Sequence, residues 1–566
     1  MKKHSLKFLS YGLIIGFALI VSSCDKRLNN HRAYCPKMKE GNSNSDTKRY
    51  YAPSMDKQEG MVSPGYREIT RGGMEEEKPA DDFYVQQHNT ESYNFITEND
   101  FLKATENPLS TFSIDVDNAS YTNTRRYIDN GNLPPADAVR IEEFVNYFSY
   151  DYTKPTGRHP FSINTEVSEC PWNMEHKLVH VGIQGKRFPF ETMAPINLVF
   201  LVDVSGSMSD ENKLPLLKKS LSLLVSKMRP QDRISLTVYA GSAGVVLPST
   251  SGAEKDKIIA ALDNLQSGGS TAGGEGIILA YKIAKDNFIK NGNNRVLIAT
   301  DGDFNVGASS DGEMTRLVES KRDDGIFLTV LGFGMGNYKD SKMESIADHG
   351  NGNYFYIDNI GEAQKTLVDE LDGTLYAIAK DVKIQVEFNP AKVQAYRLIG
   401  YENRMLKKED FNDDKKDAGE LGAGHTVTAL YEIIPVDVSY NETGKVDPLR
   451  YQKNEPKKIE SQYADEMMVI KFRYKEPKDS VSQLIVHTMK DKAVKLANSS
   501  DNFRFSAAVA EFGMILRDSK FKGTSTYDQV SELAKNSKGT DEEGYRAEFI
   551  KMVKTASLLS VTGKRE

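Results

Sequence analysis

The stretch from Asn197 to Val204, NLVFLVDV, is apolar at almost every position, which suits a strand buried on both faces. It opens a series. A helical pattern follows from Leu214 to Met228, then strand-like runs at Arg233 to Ala240, Arg295 to Thr300 and Gly325 to Gly332. Short β-rich runs separated by helical patterns predict a parallel sheet joined by right-handed crossovers and covered by helices on both faces. The expected core is a doubly wound, Rossmann-like α/β unit.

A different period flanks it. Before the unit, Phe161, Ile163, Thr165 and Val167 alternate, then Val179, Val181 and Ile183; after it, Val382, Ile384, Val386 and Phe388 alternate, then Met468, Ile470, Phe472 and Tyr474. Period two marks strands with one buried face. Unpaired edges on both sides of the unit would be a liability, so the two sets are expected to pair into one β-sandwich interrupted by the α/β insert. Ile141, Phe144, Val145 and Phe148 share a helical face behind Pro134 and Pro135, which predicts small packed helices before the sandwich. Near the C-terminus Phe505, Ala508, Phe512 and Ile515 line one helix, and Tyr545, Phe549, Met552, Val553 and Ala556 another, as core packing.

At 566 residues the chain is longer than one core grows. With 73 basic and 80 acidic side chains its formal charge is −7, and it has no dense Lys/Arg block, so nucleic acid is a poor partner. Asp25 to about Pro108 is rich in Asn, Ser, Glu, Lys and Gly and lacks apolar periodicity, which suits a solvated tether. The first residues combine Lys2, Lys3 and Lys7, a short apolar core from Tyr11 to Val21, and Ser22-Ser23-Cys24, the layout of a cleavable export signal. That core is about half the roughly 20 apolar residues a membrane span needs. VSSC also resembles the lipobox of bacterial lipoproteins, which implies cleavage before Cys24 and acylation of that cysteine, with a plain secretory signal as the alternative. After Cys24 only Cys35 and Cys170 remain, too few for a disulfide framework, with a single Cys35–Cys170 bridge left open.

The candidate site lies where the first strand of the α/β unit ends. Ligands of open α/β sheets bind beyond the carboxyl ends of the strands, and three oxygen-bearing side chains, Asp203, Ser205 and Ser207, stand there. Asp301 ends the strand Arg295 to Thr300, and Thr271 sits in the Gly-rich loop LQSGGSTAGGEGI. Carboxylates and hydroxyls without nitrogen or sulfur make a hard-cation site of the kind magnesium prefers, with manganese or calcium as alternatives. The sequence has no G-x-x-x-x-G-K-[ST], H-E-x-x-H or G-x-S-x-G, and its nine histidines lack ligand spacing. The nearest chemical rival is a phosphatase with Asp203 as nucleophile, but such enzymes carry a second aspartate two residues on, where this chain has Ser205. DVDNAS, Asp115 to Ser120, opens like an EF-hand loop, yet Ala119 occupies a ligand position and the required Gly is missing, so it is read as a strand end and helix cap. His349 is read as ordinary surface in a loop near a sheet edge.

Together DVSGSMS, Thr271 within GGSTAGG, and TDGD resemble the metal-ion-dependent adhesion site of von Willebrand factor type A domains. The resemblance implies that Ser205 and Ser207 bind the metal directly, Thr271 directly or through water, and Asp203 and Asp301 directly or through bound water. It also implies an open coordination position that an Asp or Glu of a protein partner completes. STFSIDVDNASYTNTRRYI, the domain order and the ending YRAEFIKMVKTASLL resemble the YfbK-like bacterial lipoproteins. The expected organisation is a signal peptide (1–23), a tether (24–107), a family-specific region (108–192), the type A domain (193–379) and a β-rich then helical domain (380–566). The expected function is an envelope-anchored adhesion or assembly adaptor that is not an enzyme. Its alternatives are a structural envelope scaffold whose metal only stabilises the fold and, further off, a metal-assisted hydrolase. Asp25 after Cys24 favours inner-membrane retention under enterobacterial sorting, whereas in another lineage the outer membrane is the expected address, facing periplasm or cell surface.

Overall fold

The computed structural model describes residues 91–269, 273–302, 311–336, 339–416, 418–439 and 463–562. Cys24 and Cys35 lie outside the described residues, and Cys170 is buried with no disulfide partner among the described residues. Order begins earlier than composition indicates. The stretch from Glu91, expected to be tether up to residue 107, is fixed by side-chain hydrogen bonds rather than by apolar periodicity. Glu91 pairs with Arg126 at 2.8 Å, and the Asn99 amide donates to the carbonyls of Leu398 and Gly400 at 3.2 and 2.8 Å. Phe101 packs with Ala395 and Ile434.

The first elements are β1 (Leu102–Lys103), β2 (Leu109–Ser113), α1 (Ala119–Asp129), α2 (Ile141–Asn146), β3 (Phe161–Cys170) and β4 (Asn173–Gly185). In DVDNAS, Asp115 to Asn118 lie between β2 and α1, while Ala119 and Ser120 open α1. Asp117 of that stretch accepts the Tyr354 backbone N–H at 2.9 Å and pairs with Arg404 at 3.3 Å, a structural clip.

The α/β unit follows: β5 (Ile196–Asp203), α3 (Leu214–Lys227), β6 (Arg233–Tyr239), β7 (Ala243–Ser251), α4 (Lys255–Asp263), α5 (Gly273–Asp286), β8 (Asn293–Thr300), α6 (Asp311–Asp323), β9 (Ile326–Gly332), α7 (Asp340–His349), β10 (Tyr354–Tyr356), α8 (Ile360–Gln364) and α9 (Leu371–Leu375). Its strand order is β10-β9-β8-β5-β6-β7. Every residue of the central strand β5 is buried. Alternation divides them: Leu198, Phe200 and Val202 join the core under α3 and α4, while Val199 and Leu201 join the core under α5 and α6. Each such buried Leu, Val or Phe contributes about 1.5–3 kcal/mol. The sheet is parallel except for β7, which returns antiparallel along β6. That strand was not expected, and Pro248 within it is tolerated because β7 lies at the sheet edge. His349 is the last residue of α7 rather than part of a loop.

The chain then supplies β11 (Ala377–Phe388), β12 (Val393–Ile399), β13 (Leu421–Gly422), β14 (Thr426–Pro435), β15 (Glu466–Lys475), β16 (Gln483–Lys490), α10 (Asp501–Arg517), α11 (Tyr527–Asn536) and α12 (Tyr545–Thr562). Strands from before and after the α/β unit pair with each other. One sheet runs β1-β12-β14-β4-β3; in the other, β11 is paired with β2, β13 and β15, and β15 with β16. Val179, Val181, Tyr431, Ile470 and Phe472 meet between the sheets as the sandwich core. Leu178 and Leu430, one residue out of phase, face the other way and pack under α2, α10, α11 and α12. The fold is therefore a doubly wound α/β unit inserted into a β-sandwich with helical parts from both ends of the described chain. Among the described residues no helix is long and apolar enough to cross a membrane.

Candidate metal centre at the carboxyl edge of the sheet

Strand β5 delivers Asp203, fully buried, to the carboxyl edge of the sheet. Its Oδ1 accepts the backbone N–H of Ser205 at 2.9 Å; its Oδ2 accepts the Tyr239 hydroxyl at 3.0 Å and the Thr300 hydroxyl at 3.3 Å. Tyr239 stands opposite Asp203 in the β5–β6 register, and Thr300 ends β8, so both neighbouring strands brace the carboxylate. Ser205 is buried and Ser207 exposed, and their hydroxyls lie 3.1 Å apart, one donating to the other. Met208 is buried in the core below and anchors the turn between them and α3.

The loops are tied to each other through backbone. Val204 N–H donates to the Tyr239 carbonyl at 3.0 Å, Gly206 N–H to the Gly269 carbonyl at 3.1 Å, and Gly268 N–H to the Val204 carbonyl at 2.8 Å. Asp301, fully buried, follows β8. Its Oδ2 accepts the Lys213 ammonium at 3.0 Å, and the same ammonium donates to the Ser207 carbonyl at 3.0 Å. Burial pushes the Asp203 carboxyl above the usual carboxylate range; hydrogen bonds from Ser205 pull the other way and the Asp301 charge adds to the rise. Two buried carboxylates thus share one edge, Asp203 held by neutral donors and Asp301 by the Lys213 ammonium.

Of the five residues expected to hold a metal, the structure brings Asp203, Ser205, Ser207 and Asp301 to one edge, while Thr271 lies outside the described residues. Among the described residues no cluster of three or more His, Cys, Asp or Glu side chains forms a metal site. An ion at this edge would meet hydroxyls as well as carboxylates, an all-oxygen donor set that fits a hard divalent cation. Sequence reasoning missed Tyr239, Thr300 and Lys213. The first two are readable only after β6 and β8 are placed beside β5, and Lys213 carries no signal beyond preceding an apolar helix.

The profile described as von Willebrand factor type A domain matches residues 197–370, that described as von Willebrand factor matches 87–180, and that described as uncharacterized protein YfbK, C-terminal, matches 373–559. The uncharacterized protein YfbK of Escherichia coli (strain K12) is 42% identical over 483 residues, covering 84% of this chain and 82% of its own length. The chain belongs to the YfbK family. A second relative, the uncharacterized protein sll0103 of Synechocystis, is 26% identical over 191 residues, 33% of this chain and 44% of its own length. Among solved structures, a von Willebrand factor type A protein from Catenulispora acidiphila is similar at 13% identity and a TM-score of 0.39, over 72% of this chain and 92% of its own. The α/β unit of this YfbK-family chain is thus a von Willebrand factor type A domain, a type that points to protein interaction or adhesion.

Proposed function

We propose that this YfbK-family chain is a lipoprotein of the bacterial envelope, acylated on Cys24, whose type A domain binds a protein partner through a magnesium ion. Asp203, Ser205, Ser207, Thr271 and Asp301 would hold the ion. The observation that carries the reading is the pair of buried carboxylates beside two facing hydroxyls, at the edge of the sheet where ligands bind. Once bound, the ion supplies a partly compensated divalent charge for an Asp or Glu of the partner. The chain's own residues fix the direction of approach. Tyr239 and Thr300 hold the Asp203 carboxylate in place from below, while exposed Ser207 faces solvent.

A metal that merely stiffened loops is the less favoured reading. The loops already carry backbone ties between Gly206 and Gly269 and between Gly268 and Val204, so an ion is not needed to close them. The lipid would tether the molecule to the envelope, in the outer membrane in preference to the inner, and no nucleic acid is involved.

The test is calorimetric titration of magnesium into the chain and into Asp203→Ala and Ser205→Ala, with thermal unfolding followed in parallel. Saturable binding in the parent that disappears in both folded variants is expected, followed by magnesium-dependent retention of an envelope protein that chelator releases. A folded parent that binds none of magnesium, manganese or calcium would overturn the reading.

A further inference from the structure

Lys213 is not a surface lysine that happens to lie near an acid. Its side chain is 7% exposed, and its ammonium touches the candidate centre on two sides, 3.0 Å from Asp301 Oδ2 and 3.0 Å from the Ser207 carbonyl, with Asp210 Oδ2 at 3.8 Å. The route to that position is built into the fold. The stem passes beneath Gly334, whose φ of +77° lies in the left-handed region; a Cβ there would come 2.3 Å from Lys213 Cε and 2.8 Å from its Cγ. The Tyr356 hydroxyl holds that turn by donating to the Gly334 carbonyl at 2.5 Å. The backbone of Lys213 is fixed as well, its N–H donating to the Asp210 carbonyl at 2.9 Å and its carbonyl accepting from Leu217 N–H at 2.8 Å. A stem held along its length, with a buried head, has little freedom to swing away when a second cation arrives.

We propose that Lys213 is a resident counter-ion of this centre: a cation supplied by the chain that lets the carboxylates stay buried without metal and that any divalent ion must work against. The inference rests on the metal reading above. Two consequences follow from electrostatics. Without metal, one ammonium offsets part of the charge on Asp203 and Asp301 and ties the loop after β8 to the turn after β5, so the site keeps its shape when empty. With metal, the ammonium and the ion repel each other through a poorly solvated space while sharing Asp301, so affinity is held well below what the same oxygens would otherwise give. Such a centre fills and empties with the ambient magnesium concentration instead of holding its ion permanently. Partner binding then becomes conditional on magnesium and the partner together, because the partner's carboxylate supplies charge that the ammonium has partly cancelled.

The experiment uses the full chain, with magnesium and manganese titrated by calorimetry and thermal unfolding recorded in chelator. Lys213→Met keeps most of the stem and removes the charge; Lys213→Gln removes the charge and keeps a donor near Asp301, and stands in if the first variant does not fold; Lys213→Arg keeps the charge. At least tenfold tighter magnesium binding is expected in the neutral variants, together with a lower unfolding temperature in chelator, while the arginine variant stays within about threefold of the parent. A folded neutral variant that binds magnesium no more tightly than a binding parent overturns the inference and leaves the metal reading standing. If neither parent nor neutral variant binds any divalent ion, both fall. A neutral variant that binds where the parent does not is the strongest form of support.

Discussion

The carboxyl edge of the type A domain and the seam along its β10 edge treat buried charge in opposite ways. At the carboxyl edge Asp203 and Asp301 share the Lys213 ammonium, and two hydroxyls face each other. Along the seam three arginines from outside the domain each gather several acids. Arg125 of α1 holds Asp358 at 2.6 Å, Glu362 at 2.9 Å and Glu548 of α12 at 3.0 Å. Arg140 holds Glu143, Asp340 and Glu344 at 3.1, 2.8 and 3.1 Å. Arg404 reaches Asp115, Asp117, Glu344 and Asp348 between 2.7 and 3.3 Å. The seam saturates its cations with hydrogen bonds to carboxylates, which is how a buried ionic network becomes a fixed joint. At the carboxyl edge Asp203 is held instead by neutral donors, the Ser205 N–H and the Tyr239 and Thr300 hydroxyls. The β10 edge of the domain is thus tied to the rest of the chain by these ion pairs.

The largest effect is expected from breaking the joint. Arg125→Met keeps the apolar stem and leaves Asp358 and Glu362, 6% and 1% exposed, without their shared cation. Removing one partner of a buried ion pair costs about 3–5 kcal/mol. Urea unfolding should show a loss of that size with magnesium binding retained at temperatures where the variant is folded. A cost below about 1 kcal/mol would mean the seam is no joint at all.

A smaller effect comes from protons. Burial pushes the Glu143 carboxyl up to about 8, against the pull of Arg140 and helped by Glu344 and Asp340; burial likewise pushes Asp358 up to about 6 against the pull of Arg125. Both folded values lie above the ordinary carboxylate range, so the stability these groups contribute is complete below that range and is lost as pH rises through the folded values. The unfolding temperature should therefore fall between pH about 5 and 8, by the equivalent of roughly 1–3 kcal/mol. A midpoint that climbs over this interval would contradict the assignment.

The two regions also differ in how visible they were before folding was known. Asp203, Ser205 and Ser207 are legible because they interrupt an apolar strand within five residues, and Asp301 because it ends another strand. The α/β order and the sandwich pairing were legible for the same reason, since the periods of 3.6 and 2 are local signals. The joint was not. Arg125 and Asp358 are 233 positions apart, and nothing in the polar sequence of α1 says that nearly all of it is buried. Residues 91–107 do not read as ordered because hydrogen bonds that Glu91 accepts from Arg126 and Asn99 donates to Leu398 and Gly400, not apolar spacing, hold them down. β7 was missed because a proline within a short strand is acceptable only at an edge, and edges are a property of the assembled sheet.

The smallest effect on stability should come from the residue most exposed in the candidate centre. Ser207 presents its hydroxyl to Ser205 and to solvent, and the Lys213 ammonium contacts its backbone carbonyl rather than its side chain. Ser207→Ala therefore removes a donor atom without removing the cation that shapes the loop, and surface substitutions of this kind shift stability by less than about 0.5 kcal/mol. In chelator the variant should unfold with the parent; on addition of magnesium the parent's midpoint should rise, because an ion that binds only the folded chain stabilises it by mass action, and the variant's should rise much less. A variant that loses stability without metal would make Ser207 part of the fold's support and bring the carboxyl edge closer in kind to the seam.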